Sequence, residues 1–191
     1  MPKITTEKEF LERAEQCAHC LEKKFKCEPG HRAIVLCGET GCLANGSQEL
    51  LDEFLKLIKE NKLEDKVTAN IVSCFGLCSQ GPFVKVFPEE TLYTKVQLKD
   101  VKEIFEKDIL GGEVVERLLY VDPQTKEKCR TQAEIGFYKL QTSHFTLRGN
   151  GKINPLDFDE ALGNGAFQGL NRALHMTREE VIEAKIGRAV Q

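Results

Sequence analysis

Eight cysteines punctuate the 191-residue chain, and four of them form two spaced pairs. "CGETGC" sets Cys37 and Cys42 with four residues between them, and "CFGLC" sets Cys74 and Cys78 with three. A thiolate is a nucleophile, a redox centre and a soft metal ligand, so this set invites three chemistries. A thiol-disulfide enzyme of the thioredoxin kind uses C-x-x-C, which neither pair has. A structural zinc ion takes four thiolates, usually through tight C-x2-C knuckles. An iron-sulfur cluster also takes four, and C-x4-C followed at a distance by C-x3-C favours the wider loops around a flat [2Fe-2S] core. Burial of cysteine as a small apolar residue is the plain alternative, but all four lie in glycine-rich stretches. Gly38, Gly41, Gly46, Gly76 and Gly81 let the backbone come close, so that amides can donate hydrogen bonds to sulfur.

Such sulfurs meet only if the fold brings two loops together. "HRAIVLCG" reads as a buried strand ending in glycine, and "DKVTANIVSC" repeats the signal. Between them "GSQELLDEFLKLIKENK" predicts a helix with Ser47 or Asn45 as N-cap and with Leu50, Leu51, Phe54, Leu55 and Ile58 on one face. "PFVKVFP" and "LYTKVQL" predict a hairpin around Glu89 and Glu90, and "KDVKEIFEKDILGG" an amphipathic helix stopped by two glycines. The order β-α-β-β-β-α over residues 33–112 predicts an α/β fold, a thioredoxin-like mixed sheet with flanking helices. If the first two strands are parallel neighbours, both cysteine pairs arrive at one sheet edge. A helix N-terminus near Gly46 would then favour the extra negative charge of a reduced cluster.

The other cysteines and histidines carry weaker signals. Cys17, Cys20 and Cys27, with His19 or His31, could supply zinc ligands at knuckle spacing. The ordinary alternative is a covering helix over "EKEFLERAEQCAHCLEKKF", with Phe10, Ala14, Cys17 and Leu21 on one face and Cys20 partly exposed. Cys129 has no thiol near it in sequence and reads as a solitary surface or half-buried residue. His144 and His175 stand near no nucleophile at a familiar spacing. "GNGKI" resembles the middle of a calcium loop, yet aligning Gly151 with its central glycine puts Thr146 and Arg148 where carboxylates belong.

With 27 Lys and Arg against 30 Asp and Glu, the net charge is −3, and the basic field of a nucleic-acid binder is missing. "MPKITTEKEFLERAEQ" is too charged for a signal peptide, and no window has the apolar length of a membrane span. The expected location is the cytoplasm, where thiols bind metal or do redox chemistry more often than they form structural disulfides.

"VLCGETGCLANGSQELLDEF", "CFGLCSQGPFVKVFPEETLYTKVQLKDVKEIFEKDILGGEVVERLLY" and "FYKLQTSHFTLRGNGKINPLDFDEAL" together resemble the N-terminal part of the flavin-containing subunit of NADH-dependent hydrogenases and complex I-like dehydrogenases. That resemblance implies a thioredoxin-like [2Fe-2S] ferredoxin domain with Cys37, Cys42, Cys74 and Cys78 as the cluster ligands. It also implies partners among other redox subunits or a flavin domain, with no membrane insertion and with homo-oligomerisation left open. The family continues into a glycine- and arginine-rich flavin and NADH site, whereas this chain stops at "AKIGRAVQ". NADH oxidation by this chain alone is therefore not expected, and no catalytic residue is assigned. The expected organisation is an N-terminal helical segment over 1–32, the ferredoxin domain over 33–112 and a linker over 113–140. A helical extension over 141–191 would correspond to the start of a flavin domain. The expected function is one-electron transfer within an NADH-linked hydrogenase or dehydrogenase; the alternative is a non-redox interaction module holding zinc on the same thiolates.

Overall fold

The computed structural model describes residues 4–26, 29–141 and 147–189. The chain forms two compact units, one over Glu22–Asp157 and one combining the stretch up to Leu21 with the stretch from Phe158 onward.

The larger unit is built on a four-stranded sheet. β1 (Arg32–Cys37) is followed by a short helix, α2 (Thr40–Ala44), then α3 (Ser47–Glu60), β2 (Val67–Val72), β3 (Val84–Phe87), β4 (Thr91–Tyr93) and α4 (Leu98–Ile104). The strand order is β2-β1-β3-β4; β1 and β2 are parallel, and β3 and β4 add antiparallel. This is the thioredoxin-like α/β arrangement expected from the sequence. Because a strand alternates faces, β1 divides its residues between two cores. Ile34 and Leu36 join Leu50, Phe54 and Ile58 of α3 and Val101 and Ile104 of α4, while Ala33, Val35 and Cys37 join Val72, Phe75, Phe83 and Leu92. Each fully buried side chain of this size contributes roughly 1.5–3 kcal/mol through removal from water.

Several local expectations change. Gly46, at φ +89°, caps α3, because the Ser47 hydroxyl is committed elsewhere: it donates to the Cys37 carbonyl at 2.6 Å, inside the core. Leu55 is 44% exposed and leaves the predicted apolar face to Leu50, Leu51, Phe54 and Ile58. The helix after β4 runs on from α4 as a π-helical turn over Phe105–Leu110 before Gly111 and Gly112.

Where a linker is expected over 113–140, Val115, Leu118, Leu119, Cys129 and Ile135 are buried in the two cores. A two-stranded ribbon, β5 (Tyr120–Val121) with β6 (Lys128–Cys129), and the short α5 (Gly136–Lys139) belong to this stretch. Single bridges tie it to β4 at Thr91–Thr131 and Tyr93–Leu119. Cys129, expected near the surface, is buried with its thiol donating to the Glu134 carbonyl at 3.7 Å.

A polar network anchors the same segment. The Tyr93 hydroxyl donates to Asp108 Oδ2 at 2.6 Å and accepts from the Val115 amide at 3.2 Å, and Arg32, itself paired with Glu89, stands 3.7 Å from Asp108 Oδ1. Burial pushes the Asp108 carboxyl above its ordinary range, against the lowering pull of the Tyr93 hydrogen bond and the Arg32 charge. A raised folded-state pKa gives stability that is fully present below the unfolded-chain pKa of about 3.9 and lost as pH rises through the folded value. Asp108→Asn removes that dependence, so the variant gains stability relative to the parent as pH is raised from 3.5 to 7. Urea unfolding at several pH values measures the difference; a constant offset would contradict it.

The smaller unit contains the first part of α1 (Glu7–Phe25) with α6 (Phe158–Gly163), α7 (Gln168–Leu174) and α8 (Arg178–Ala189). Arg13 of α1 pairs with Asp159 of α6 at 2.5 Å, and Cys17 is buried while Cys20 is exposed. Thr177 and Glu180 form the capping box that starts α8: the Glu180 amide donates to Thr177 Oγ1, and the Thr177 amide to Glu180 Oε2. No helix among the described residues is long and apolar enough to cross a membrane.

Candidate metal centre

Parallel pairing of β1 and β2 sets the position of both cysteine loops. Cys37 is the last residue of β1 and lies opposite Val72, the last residue of β2, so the two loops leave the same sheet edge side by side. The first loop is fastened where it starts, by the Gly38 amide donating to the Val72 carbonyl at 2.8 Å and by the Ser47 bond to Cys37. It then turns through α2, which carries Cys42 into the core. Cys37 and Cys42 are both buried, and the Cys37 thiol is near enough to act on Cys42.

The second loop runs from Ser73 to Phe83. Its sulfurs, Cys74 and Cys78, stand 3.7 Å apart, Cys74 half-buried and Cys78 exposed. The Gly76 amide donates to Cys74 Sγ at 3.2 Å; Gly76 sits at φ +90°, which the reversal of chain direction there requires. Gly81 brings the second loop against the first: a Cβ on it would lie 2.6 Å from Cys42 Sγ. Of the five glycines singled out from the sequence, Gly76 donates to a cysteine sulfur and Gly81 makes room for one. Gly38 bonds backbone, and Gly41 faces open space.

Electrostatics link the two pairs. Burial, then the Cys37 thiol, push Cys42 up to about 12, with Cys74 adding in the same direction and the Phe83 amide opposing. Cys78 is raised by its hydrogen bond with Cys74. Crowded thiols hold their protons, and a metal taken up there must displace them. The four cysteines stand as two pairs at one sheet edge, a donor set whose chemistry fits a [2Fe-2S] cluster with two thiolates on each iron.

Other residues around the second loop carry no spacing signal in the sequence. The Tyr138 hydroxyl donates to the Phe75 carbonyl at 2.8 Å, and Tyr138 is held well above the ordinary phenol range by burial first and then by Cys74, Cys37 and Cys78. Ser73 is bonded to the turn at 149–153. That turn contains the "GNG" that resembles a calcium loop; its Gly151 amide is directed to Ser73 Oγ at 3.2 Å. Thr146 of that reading lies outside the described residues, as do His144 and Cys27. Cys17 and Cys20 belong to no three-donor group among the described residues, and Cys17 is raised by burial and by Asp159 beside it. His175 sits on the surface of the smaller unit, its Nε2 3.6 Å from Glu7.

The family model for thioredoxin-like [2Fe-2S] ferredoxins matches residues 20–108. A 2Fe-2S ferredoxin of Clostridium pasteurianum is 43% identical over 77 residues, covering 40% of this chain and 76% of that protein. One from Aquifex aeolicus is 35% identical over 92 residues, covering 48% of this chain and 78% of that protein. A crystal structure of the wild-type thioredoxin-like [2Fe-2S] ferredoxin from Aquifex aeolicus superposes with a TM-score of 0.43 at 32% identity, covering 46% of this chain and 94% of that one.

Proposed function

We propose, from the premise that this chain belongs to the thioredoxin-like [2Fe-2S] ferredoxin family, that it is a one-electron carrier whose cluster is held by Cys37, Cys42, Cys74 and Cys78. The observation that carries this is the delivery of two thiol pairs to one edge of the sheet by adjacent parallel strands. Bound there, a [2Fe-2S] cluster accepts and returns a single electron without substrate bonds being made or broken.

The chain's own residues supply the setting. Cys37 and Cys42 lie in the core, whereas Cys74 is half-buried and Cys78 exposed, so the second pair is the side from which a partner can exchange electrons. The Gly76 amide at Cys74 Sγ offsets negative charge, and the N-terminus of α3, beginning after Gly46, adds its positive end at the first loop. The ferredoxin domain over 33–112 would serve as the electron-transfer module of an NADH-linked hydrogenase or dehydrogenase. Its partners would be other redox subunits or a flavin domain. The resemblance of the segments after residue 112 to such subunits supports this, and so do Phe167, Leu170 and Leu174, which leave apolar surface open on the helical extension.

Anaerobically purified full-length chain is expected to be brown, to bleach with dithionite, and to carry about two irons and two acid-labile sulfides. An EPR signal on reduction completes the test. Colourless protein with stoichiometric zinc would overturn the carrier in favour of a zinc-bound interaction module.

A further inference from the structure

Residues 136–141 and 147–153 lie beyond the stretch matched by the family model, yet they close on the second cysteine loop from two sides. Ser73, immediately before Cys74, spends its hydrogen bonds on one turn. Its amide donates to the Ile153 carbonyl at 2.8 Å, its hydroxyl donates to the Gly149 carbonyl at 3.0 Å, and the same oxygen accepts from the Gly151 amide at 3.2 Å. Gly151 has φ +67°, and a Cβ there would come within 3.0 Å of the Phe75 ring, so the turn packs closely on that ring. From α5, the Tyr138 hydroxyl holds the Phe75 carbonyl at 2.8 Å, and the edge of the Phe137 ring comes 3.9 Å from where a Cβ on Gly76 would stand. Tyr138 also packs against the apolar cluster that contains Cys37, Cys42, Phe75 and Phe83.

We propose that Tyr138, together with the 149–153 turn, is a positioning residue for the metal centre: it fixes the Cys74–Cys78 loop and keeps water from that side of the sulfurs. This rests on the cluster assignment above. The physical need is plain, because a loop carrying one half-buried and one exposed ligand opens easily unless contacts outside it hold it shut. Loss of such an outer contact typically weakens metal retention about 10- to 100-fold. Water reaching an anionic centre favours its more negative, reduced form, so removal of the ring has a second, electrochemical signature.

Two variants of the full chain separate these effects. Tyr138→Phe keeps the ring and removes the hydroxyl. It is expected to release iron to a chelator about 10-fold faster than the parent, with faster amide exchange confined to residues 75–78 and a reduction potential close to the parent's. Tyr138→Ala is expected to release iron faster still and to raise the potential. Equal chelator release and equal exchange at residues 75–78 in parent and Tyr138→Phe would overturn the proposal. A parent chain that takes up no iron and sulfide would instead sink the cluster assignment, and amide exchange at 75–78 would still decide whether Tyr138 fixes the loop.

Discussion

Gly81→Ala is expected to leave the chain folded and to strip it of most of its iron. The backbone at Gly81, φ −72° and ψ 166°, is one alanine adopts freely, so the difficulty is space alone. The new methyl would lie 2.6 Å from Cys42 Sγ, while its next neighbours, the Cys78 carbonyl at 3.5 Å and the Phe83 ring at 3.7 Å, stay at ordinary contact. The sulfur is the one atom within 3 Å, and it sits on a side chain that can turn about a single bond. The fold pays about 1 kcal/mol for the added methyl, whereas a ligand turned aside no longer reaches its metal. Iron retention is expected to fall about 10- to 100-fold. Iron and sulfide analysis beside a urea unfolding curve checks both halves; full iron content would overturn the expectation that the methyl turns Cys42 from the metal.

Alanine at any one of Cys37, Cys42, Cys74 or Cys78 is expected to lower cluster content at least about tenfold, because removal of one thiolate leaves an iron with an open coordination position. Alanine at Cys17, Cys20 or Cys129 is expected to leave it unchanged. Cys78 gives the cleanest comparison. Its side chain is exposed, so its loss leaves no cavity, and reduced iron content there reports ligation rather than packing. At Cys37 and Cys42, buried beside Phe83, the same change also removes core contacts and costs about 1 kcal/mol in the metal-free chain. Iron content per chain and unfolding midpoints across the seven variants separate the two groups. Retention of iron by Cys78→Ala would remove it from the ligand set.

Much of this site is legible in the sequence because it hangs on short-range features. The apolar runs ending in Cys37 and just before Cys74 are strands, the intervening amphipathic stretch is a crossover helix, and the parallel pairing that follows brings the two loops together. What stayed hidden depends on contacts distant along the chain. Ser47 looks like a cap, but a hydrogen bond to Cys37, ten residues back, takes its hydroxyl into the core. Residues 113–140 look polar enough for a linker, yet Val115 and Leu118 are buried in the cluster that holds Phe54 and Ile104, and Ile135 in the one that holds Val35 and Phe83, which no local periodicity reveals. Tyr138 reaches Phe75 across 63 positions and Gly149 reaches Ser73 across 76. Such pairs leave no repeat in the sequence, and nothing in the "GNG" stretch itself points to its bonds with Ser73.

The turn at 149–153 also sets how far the polypeptide can be trimmed. A fragment ending at Gln141 keeps all four strands, both cysteine pairs and Tyr138 but loses the three bonds on Ser73, so its second loop is expected to open more readily than that of the whole polypeptide.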